Sequence, residues 1–138
     1  MALTSLQQVA FDNLMAGKNV FLTGKAGTGK SYVIERFIEE LAKENRNYLV
    51  VAPTGIAAMN VGGVTIHRSF GASLQPQISK NIQSVPDVVL QADIIIVDEI
   101  SMCRVDLFDY MVRVIAKAET TSMKRKQLVV VGDFFQLP

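Results

Sequence analysis

Apolar positions along the chain recur at a spacing of two in some stretches and of three to four in others, in an order that predicts alternating strands and helices. Thr4 and Gln7 have the spacing of a capping box, Leu6, Val9, Ala10 and Leu14 supply a helical stripe, and Gly17 terminates it, which predicts an opening helix. A strand is predicted over 19–23. Beyond a glycine-rich turn, Val33, Ile34, Phe37, Ile38 and Leu41 repeat at helical spacing, with Glu35, Arg36, Glu39 and Lys43 on the opposite face, as in a helix lying on a sheet. A second strand is predicted over 48–52, ended by Pro53, and a short helix over 55–60, after which Gly62 and Gly63 break the chain. Residues 71–86 are rich in Gln, Ser and Asn, contain Pro76 and Pro86 and have no period, so they are expected to be surface loop. The stretch over 93–97, Asp93 followed by four aliphatic residues, fits a central parallel strand covered on both faces. A helix with the apolar set Val105, Phe108, Met111, Val112 and Ile115 follows, and Lys124, Arg125 and Lys126 lead into a last strand over 128–131. The fold class this order predicts is α/β, with a mostly parallel sheet and helices on both faces in three α/β/α layers.

A chain of 138 residues is long enough for one domain with an apolar core and short for two, so residues 1–138 are expected to form a single domain. Apolar residues make up 49% and charged residues 20%, the profile of a globular protein rather than a disordered one. The formal net charge of +1 gives no overall footprint for nucleic acid, so such binding would have to come from locally placed groups. The single cysteine, Cys103, excludes an internal disulfide and a cysteine-built zinc site. Aliphatic runs such as Ile94–Val97 fall far short of the ~20 residues that span a bilayer. No membrane association is expected, and a cytosolic compartment fits: the cytosol or nucleoid of a bacterium, the nucleus or mitochondrion of a eukaryote.

Chemistry enters with Gly24, Lys25, Ala26, Gly27, Thr28, Gly29, Lys30 and Ser31, which fit the phosphate-loop pattern GxxxxGK[ST] between a predicted strand and a predicted helix. The glycines allow the backbone to fold round phosphates with its N–H groups inward, and the following helix presents its positive end to the same anion. Lys30 would reach the β- and γ-phosphates, and Ser31 would ligate magnesium. The strand over 93–97 ends in Asp98 and Glu99, the arrangement of a Walker B motif: Asp98 at the magnesium shell, Glu99 as general base on the attacking water. An acidic N-cap for the next helix is the alternative for this pair. Two carboxylates suit water activation better than transfer to a second acceptor, and the chain lacks both the guanine-reading Asn-Lys-x-Asp and the LSGGQ signature. ATP with Mg2+ is therefore the expected substrate pair, and hydrolysis the expected reaction.

In order, Val51-Ala52-Pro53-Thr54-Gly55-Ile56-Ala57-Ala58, Thr65-Ile66-His67, Asp98-Glu99-Ile100-Ser101-Met102 and Gly132-Asp133-Phe134-Phe135-Gln136-Leu137-Pro138 follow the phosphate loop. Together they resemble the successive motifs of the Pif-type DNA helicases of superfamily 1B, relatives of the RecD subunit that move 5' to 3' on single strands, and the resemblance covers essentially the whole chain. It implies a RecA-like phosphate-loop fold with Gln7 reading adenine and Gln136 sensing the γ-phosphate. Pro53, Thr54 and Gly55 would hold DNA phosphates, with His67 and Ser69 in the next DNA-contacting stretch. Gln7 equally satisfies the capping box, Thr54 equally serves as a helix N-cap, and His67 equally fits a structural role. Arg68 and residues 124–126 read as ordinary solvated charges, and Met102 and Cys103 as packing under the sheet.

Such helicases need a second RecA-like domain, absent from these 138 residues. The chain is thus expected to be the first motor domain, cut after the GDxxQLP motif, monomeric, able to bind nucleotide and single-stranded DNA but not to unwind. Without an arginine supplied from outside, worth about 1,000- to 100,000-fold in related phosphoryl transfer, hydrolysis should be very slow. A nucleotide-binding switch or interaction module, and a subunit of a hexameric ATPase, remain open alternatives.

Overall fold

The computed structural model describes residues 3–24, 29–72, 82 and 84–132. Five strands, β1 (Val20–Thr23), β2 (Tyr48–Ala52), β3 (Val64–Thr65), β4 (Ile94–Val97) and β5 (Gln127–Gly132), form one sheet in the order β1-β5-β4-β2-β3. Every described pairing is parallel. The helices are α1 (Ser5–Met15), α2 (Lys30–Lys43), α3 (Gly55–Asn60), α4 (Ile66–Phe70), α5 (Asp87–Gln91) and α6 (Val105–Ser122), with a 3-10 turn at Ile100–Met102.

β4 is fully buried, and its side chains divide between two cores. Ile94 and Ile96 pack with Leu14 of α1, Val33, Phe37 and Leu41 of α2, and Val129 and Val131 of β5. Ile95 and Val97 pack on the other face with Ile66 and Phe70 of α4, Val89 of α5, and Leu107, Met111, Val114 and Ala118 of α6. The period-two alternation of a strand thus puts alternate residues into opposite layers, and the expected three-layer α/β/α arrangement is present. Among the described residues no helix is long and apolar enough to cross a membrane.

The predicted elements recur with end shifts of a residue or so, and β2 and α3 match their predicted bounds. β3, α4, α5 and the 3-10 turn were not anticipated; at two to five residues they are too short to develop a period. The face of α6 differs from the prediction. Its buried residues are Leu107, Met111, Val114, Ile115 and Ala118, whereas Val105 is 86% exposed and Val112 is also exposed. Two apolar stripes run side by side on this helix, and spacing alone cannot choose between them. Met102 is likewise exposed rather than packed under the sheet, because the 3-10 turn swings it outward. Cys103 is half-buried against the α6-side core, and burial pushes its thiol pKa up.

The basic tract is corrected in part: Lys124 is exposed as expected, but Arg125 and Lys126 are structural. Arg125 donates to Gly17 O (2.9 Å) and to Asn19 Oδ1 (3.2 Å). Lys126 is only 5% exposed, and its ammonium donates to Leu90 O (2.8 Å) and Ala92 O (2.5 Å) at the end of α5. Buried Gln127 donates to Leu14 O (2.9 Å) and Lys18 O (2.7 Å). Three consecutive residues thereby tie the start of β5 to elements on both faces of the sheet. Burial lowers the Lys126 pKa, while Asp93 and Glu119 act in the opposite sense. Replacing Lys126 by methionine removes the donor from two carbonyls and should cost about 1–3 kcal/mol of stability. The midpoint of urea unfolding measures this, and an unchanged midpoint would mean that the carbonyls find other donors.

Candidate functional site

In an all-parallel sheet the carboxyl ends of the strands lie along one edge, and the loops that leave them converge there. β1 leads to Gly24, β2 to Pro53 and Thr54, β3 to α4, and β4 to Asp98 and Glu99. The expected phosphate-loop residues Ala26, Gly27 and Thr28 lie outside the described residues, as does Gln136. The two ends of the loop are described. Lys30 begins α2, and its ammonium donates to Gly24 O at 2.8 Å, bridging the exit from β1 to the start of the helix. Gly29 has φ +85°, a conformation that favours glycine, and the Nε2 end of the Gln7 side chain lies where a Cβ would stand.

Gln7 forms the capping box: its Oε1 accepts from Thr4 N (2.9 Å), and Gln7 N donates to Thr4 Oγ1 (3.2 Å). The same amide directs its nitrogen at Gly29. The cap thus sets the side-chain nitrogen beside Gly29, at the described end of the loop.

Asp98 stands one residue past β4, where its N–H donates to Val51 O (2.9 Å). Its Oδ1 accepts from Glu99 N at 2.8 Å. The carboxyl is half-buried, and burial raises its pKa, with the Glu99 N–H and the Lys30 ammonium acting in the opposite sense. Ser31 and Asp98 line one cavity of about 170 Å3, whose apolar wall includes Ile34, Val50 and Ile96. A hydroxyl and a partly desolvated carboxylate, both hard oxygen donors facing one space, fit Mg2+. Glu99 is exposed and lies in the left-handed region (φ 57°, ψ 42°), which costs a non-glycine residue about 1–3 kcal/mol. Its side chain makes no cap to the 3-10 turn, so the N-cap alternative for this carboxylate finds no hydrogen bond.

Pro53 is buried; Thr54 and Gly55 are exposed at the start of α3, where Thr54 Oγ1 accepts from Ala57 N (3.2 Å). His67 is half-buried. Ser69 does not stand where a DNA contact requires: it is 4% exposed, and its hydroxyl donates to Thr65 O (2.9 Å) within α4. The helical turn that leaves His67 half-buried carries Ser69 fully inward. Asn60 and Val61, at the end of α3, share the cavity with Ser31 and Asp98. No motif singles them out, and only the folding of α3 back over β2 brings them there.

The strain at Glu99 gives a test that separates geometry from chemistry. Glu99→Gly should raise stability by about 1 kcal/mol, the released strain less the entropy of an added glycine, while Glu99→Gln should leave it unchanged. Urea midpoints of the two variants check this, and equal midpoints would show that the position stores no strain.

The sequence pattern of the PIF1-like helicases matches residues 2–138. The ATP-dependent DNA helicase Pif1 of Psychrobacter sp. is 35% identical over 96% of this chain and 21% of its own length. The human ATP-dependent DNA helicase PIF1 is 34% identical over 99% of this chain and 22% of its own. Among solved structures, Bacteroides sp. Pif1 in complex with ADP-AlF4 superposes with a TM-score of 0.82 at 37% identity, over all of this chain and 34% of that one. The chain thus spans about a fifth of the length of these curated relatives and a third of that structure. With the pattern matched from residue 2 to the last, and the fold superposing throughout, the chain belongs to the PIF1-like helicase family.

Proposed function

We propose that this chain is the first RecA-like motor domain of an ATP-dependent 5'–3' DNA helicase, spanning residues 1–138 as one domain. The observation that carries the reading is the convergence of Lys30 and Ser31, at the start of α2, with Asp98 and Glu99, at the end of β4, on one edge of a parallel sheet.

In this reading Gly24, Ala26, Gly27, Thr28 and Gly29 cradle the phosphates of ATP, Lys30 holds the β- and γ-phosphates, and Gln7 approaches adenine from the cap of α1. Ser31 and Asp98 would hold Mg2+, which when bound neutralises charge on the β- and γ-phosphate oxygens. Glu99, exposed one residue past Asp98, accepts the proton of the attacking water, and Gln136 senses the γ-phosphate. Bacteroides Pif1 has been solved with ADP-AlF4 and bound to ssDNA, which supports a nucleotide and a single strand as the ligands. The strand would run past Pro53, Thr54, Gly55 and His67. A second RecA-like domain in the remainder of the parent protein would complete the catalytic site. The isolated chain is a monomer that binds nucleotide and single-stranded DNA without unwinding a duplex.

Lys30→Ala should weaken binding of labelled ATP roughly 10- to 100-fold, the loss of a charge-assisted hydrogen bond. Glu99→Gln should bind ATP as the wild type does and lose whatever slow hydrolysis the wild type has. Equal ATP affinity for Lys30→Ala and wild type would overturn the phosphate-loop assignment.

A further inference from the structure

Between α2 and the end of α3 the domain opens into a slot of about 170 Å3. Its floor is Ile96 of β4 and Val131 of β5, and its walls are the partly buried Ile34 and Ile38 of α2, Val50 of β2 and Val61 just past α3. Aliphatic walls left partly open to water favour an apolar body that covers them. Other proteins hold benzene in cavities of about 150 Å3, so the space suits one small ring or a short alkyl chain.

The polar side chains around the slot give the charge of its occupant. They are Ser31, Glu35, Asn60 and Asp98, and among the described residues no cation lines it. Ser31 and Glu35 stand four apart on α2 and so on one side of the helix. Neither the Glu35 carboxylate nor the Asn60 amide has a hydrogen-bond or ion-pair partner among the described residues. Lys30, which acts on Asp98 and donates to Gly24 O, is not part of the lining. Two carboxylates repel an anion, and a neutral apolar molecule would strip water from them without replacing it. A metal ion alone makes no use of aliphatic walls, which offer it no oxygen. A cation with an apolar body suits both halves, its N–H groups donating to the carboxylates while the body covers the walls.

We propose that this slot binds a small organic ammonium, an alkyl or aryl amine in its charged form, and that the bound amine excludes a divalent cation from Ser31 and Asp98, which line the same space. The exclusion rests on the magnesium site proposed above, whereas the binding of the amine does not. Bound there, the amine would slow the proposed hydrolysis by displacing the metal rather than the nucleotide.

The test is NMR of the chain titrated with three probes: benzylammonium chloride has both body and charge, benzyl alcohol the body alone and methylammonium chloride the charge alone. Benzylammonium should shift the methyl signals of Ile34, Val50 and Ile96 saturably, with an affinity about fivefold or more above that of either control. Glu35→Gln, at an exposed helical position, should weaken benzylammonium about two- to fivefold, the worth of one exposed ion pair, and leave benzyl alcohol unchanged. Val61→Phe fills the slot from its rim and should abolish the shifts at Ile34 and Val50, with an unchanged melting curve to show that the fold is intact. Saturating Mg2+ with ADP should prevent benzylammonium from binding, and ADP in EDTA should not. Equal affinity for benzylammonium and methylammonium would mean that charge alone binds and would overturn the slot, as would the absence of saturable shifts. If the Ser31 and Asp98 amide signals respond to Mg2+ with ADP and benzylammonium still binds undiminished, the exclusion is wrong. If those amides do not respond, the magnesium reading fails and takes the exclusion with it, while the three probes without nucleotide still decide the slot.

Discussion

Everything at the candidate site depends on the burial of β4 from both sides. Four consecutive aliphatic residues, Ile94 to Val97, are inaccessible to solvent, and each contributes about 1.5–3 kcal/mol by leaving water. Because the strand alternates its faces, the same four residues anchor α2 in one layer and α6 in the other. The strand then ends where apolar burial ends, and the next residue is a carboxylate. Asp98 sits at the boundary between core and solvent because Val97 cannot leave the core, and α2, held by Val33, Phe37 and Leu41, cannot shift Ser31 away from it.

A site held this firmly can sustain local costs. Asp98 is half-buried with its pKa raised, and Glu99 occupies a backbone conformation that side chains avoid. Neither is explained by stability. The two costs lie on adjacent residues, and the hydrogen bond from Glu99 N–H to Asp98 Oδ1 links them. The turn that strains Glu99 is also what aims its N–H at the carboxylate, which favours the charged form of Asp98 against desolvation. At the opposite edge of the sheet, the buried hydrogen bonds of Lys126 and Gln127 tie the layers together far from the site. Strain at one edge and added fastening at the other are consistent with a fold that spends stability where the chemistry is.

Much of this was legible in the residues themselves. The periods at α2 and β4 and the Thr4–Gln7 cap are strong local signals, and each recurs in the structure because tertiary packing agrees with it. Elsewhere local signals were absent or doubled. α6 carries two adjoining apolar stripes, and which one is buried depends on how Ile95 and Val97 meet it, a fact about the sheet rather than the helix. Lys126 reads as solvated because lysine usually is; its burial follows from two carbonyls contributed by α5, a helix too short to announce itself. Ser69 is polar and near His67 in sequence, but two residues along a helix turn a side chain by roughly 200 degrees. Asn60 and Val61 enter the cavity through a chain reversal at Gly62 and Gly63; at Gly63 a Cβ would strike Val50 O. The site's motifs were readable, and its neighbours were not.

The exposure of the site has a further consequence for its chemistry. Ser31 and Glu99 both face solvent in this chain. Charge developing on a transferred phosphoryl group is stabilised far more strongly where water is excluded, since the same dipoles act through a lower dielectric. The arrangement therefore places the groups that would bind and activate on a surface that does not by itself exclude water. A wall closing over the carboxyl edge of the sheet would strengthen each of these interactions without moving any of them, whereas further rearrangement within the domain would have to break the packing of β4 that positions them. On this fold, regulation of the proposed hydrolysis is more economically achieved by covering the edge than by reshaping it, and the short elements that follow β2, β3 and β4 are the surfaces such a cover would meet first.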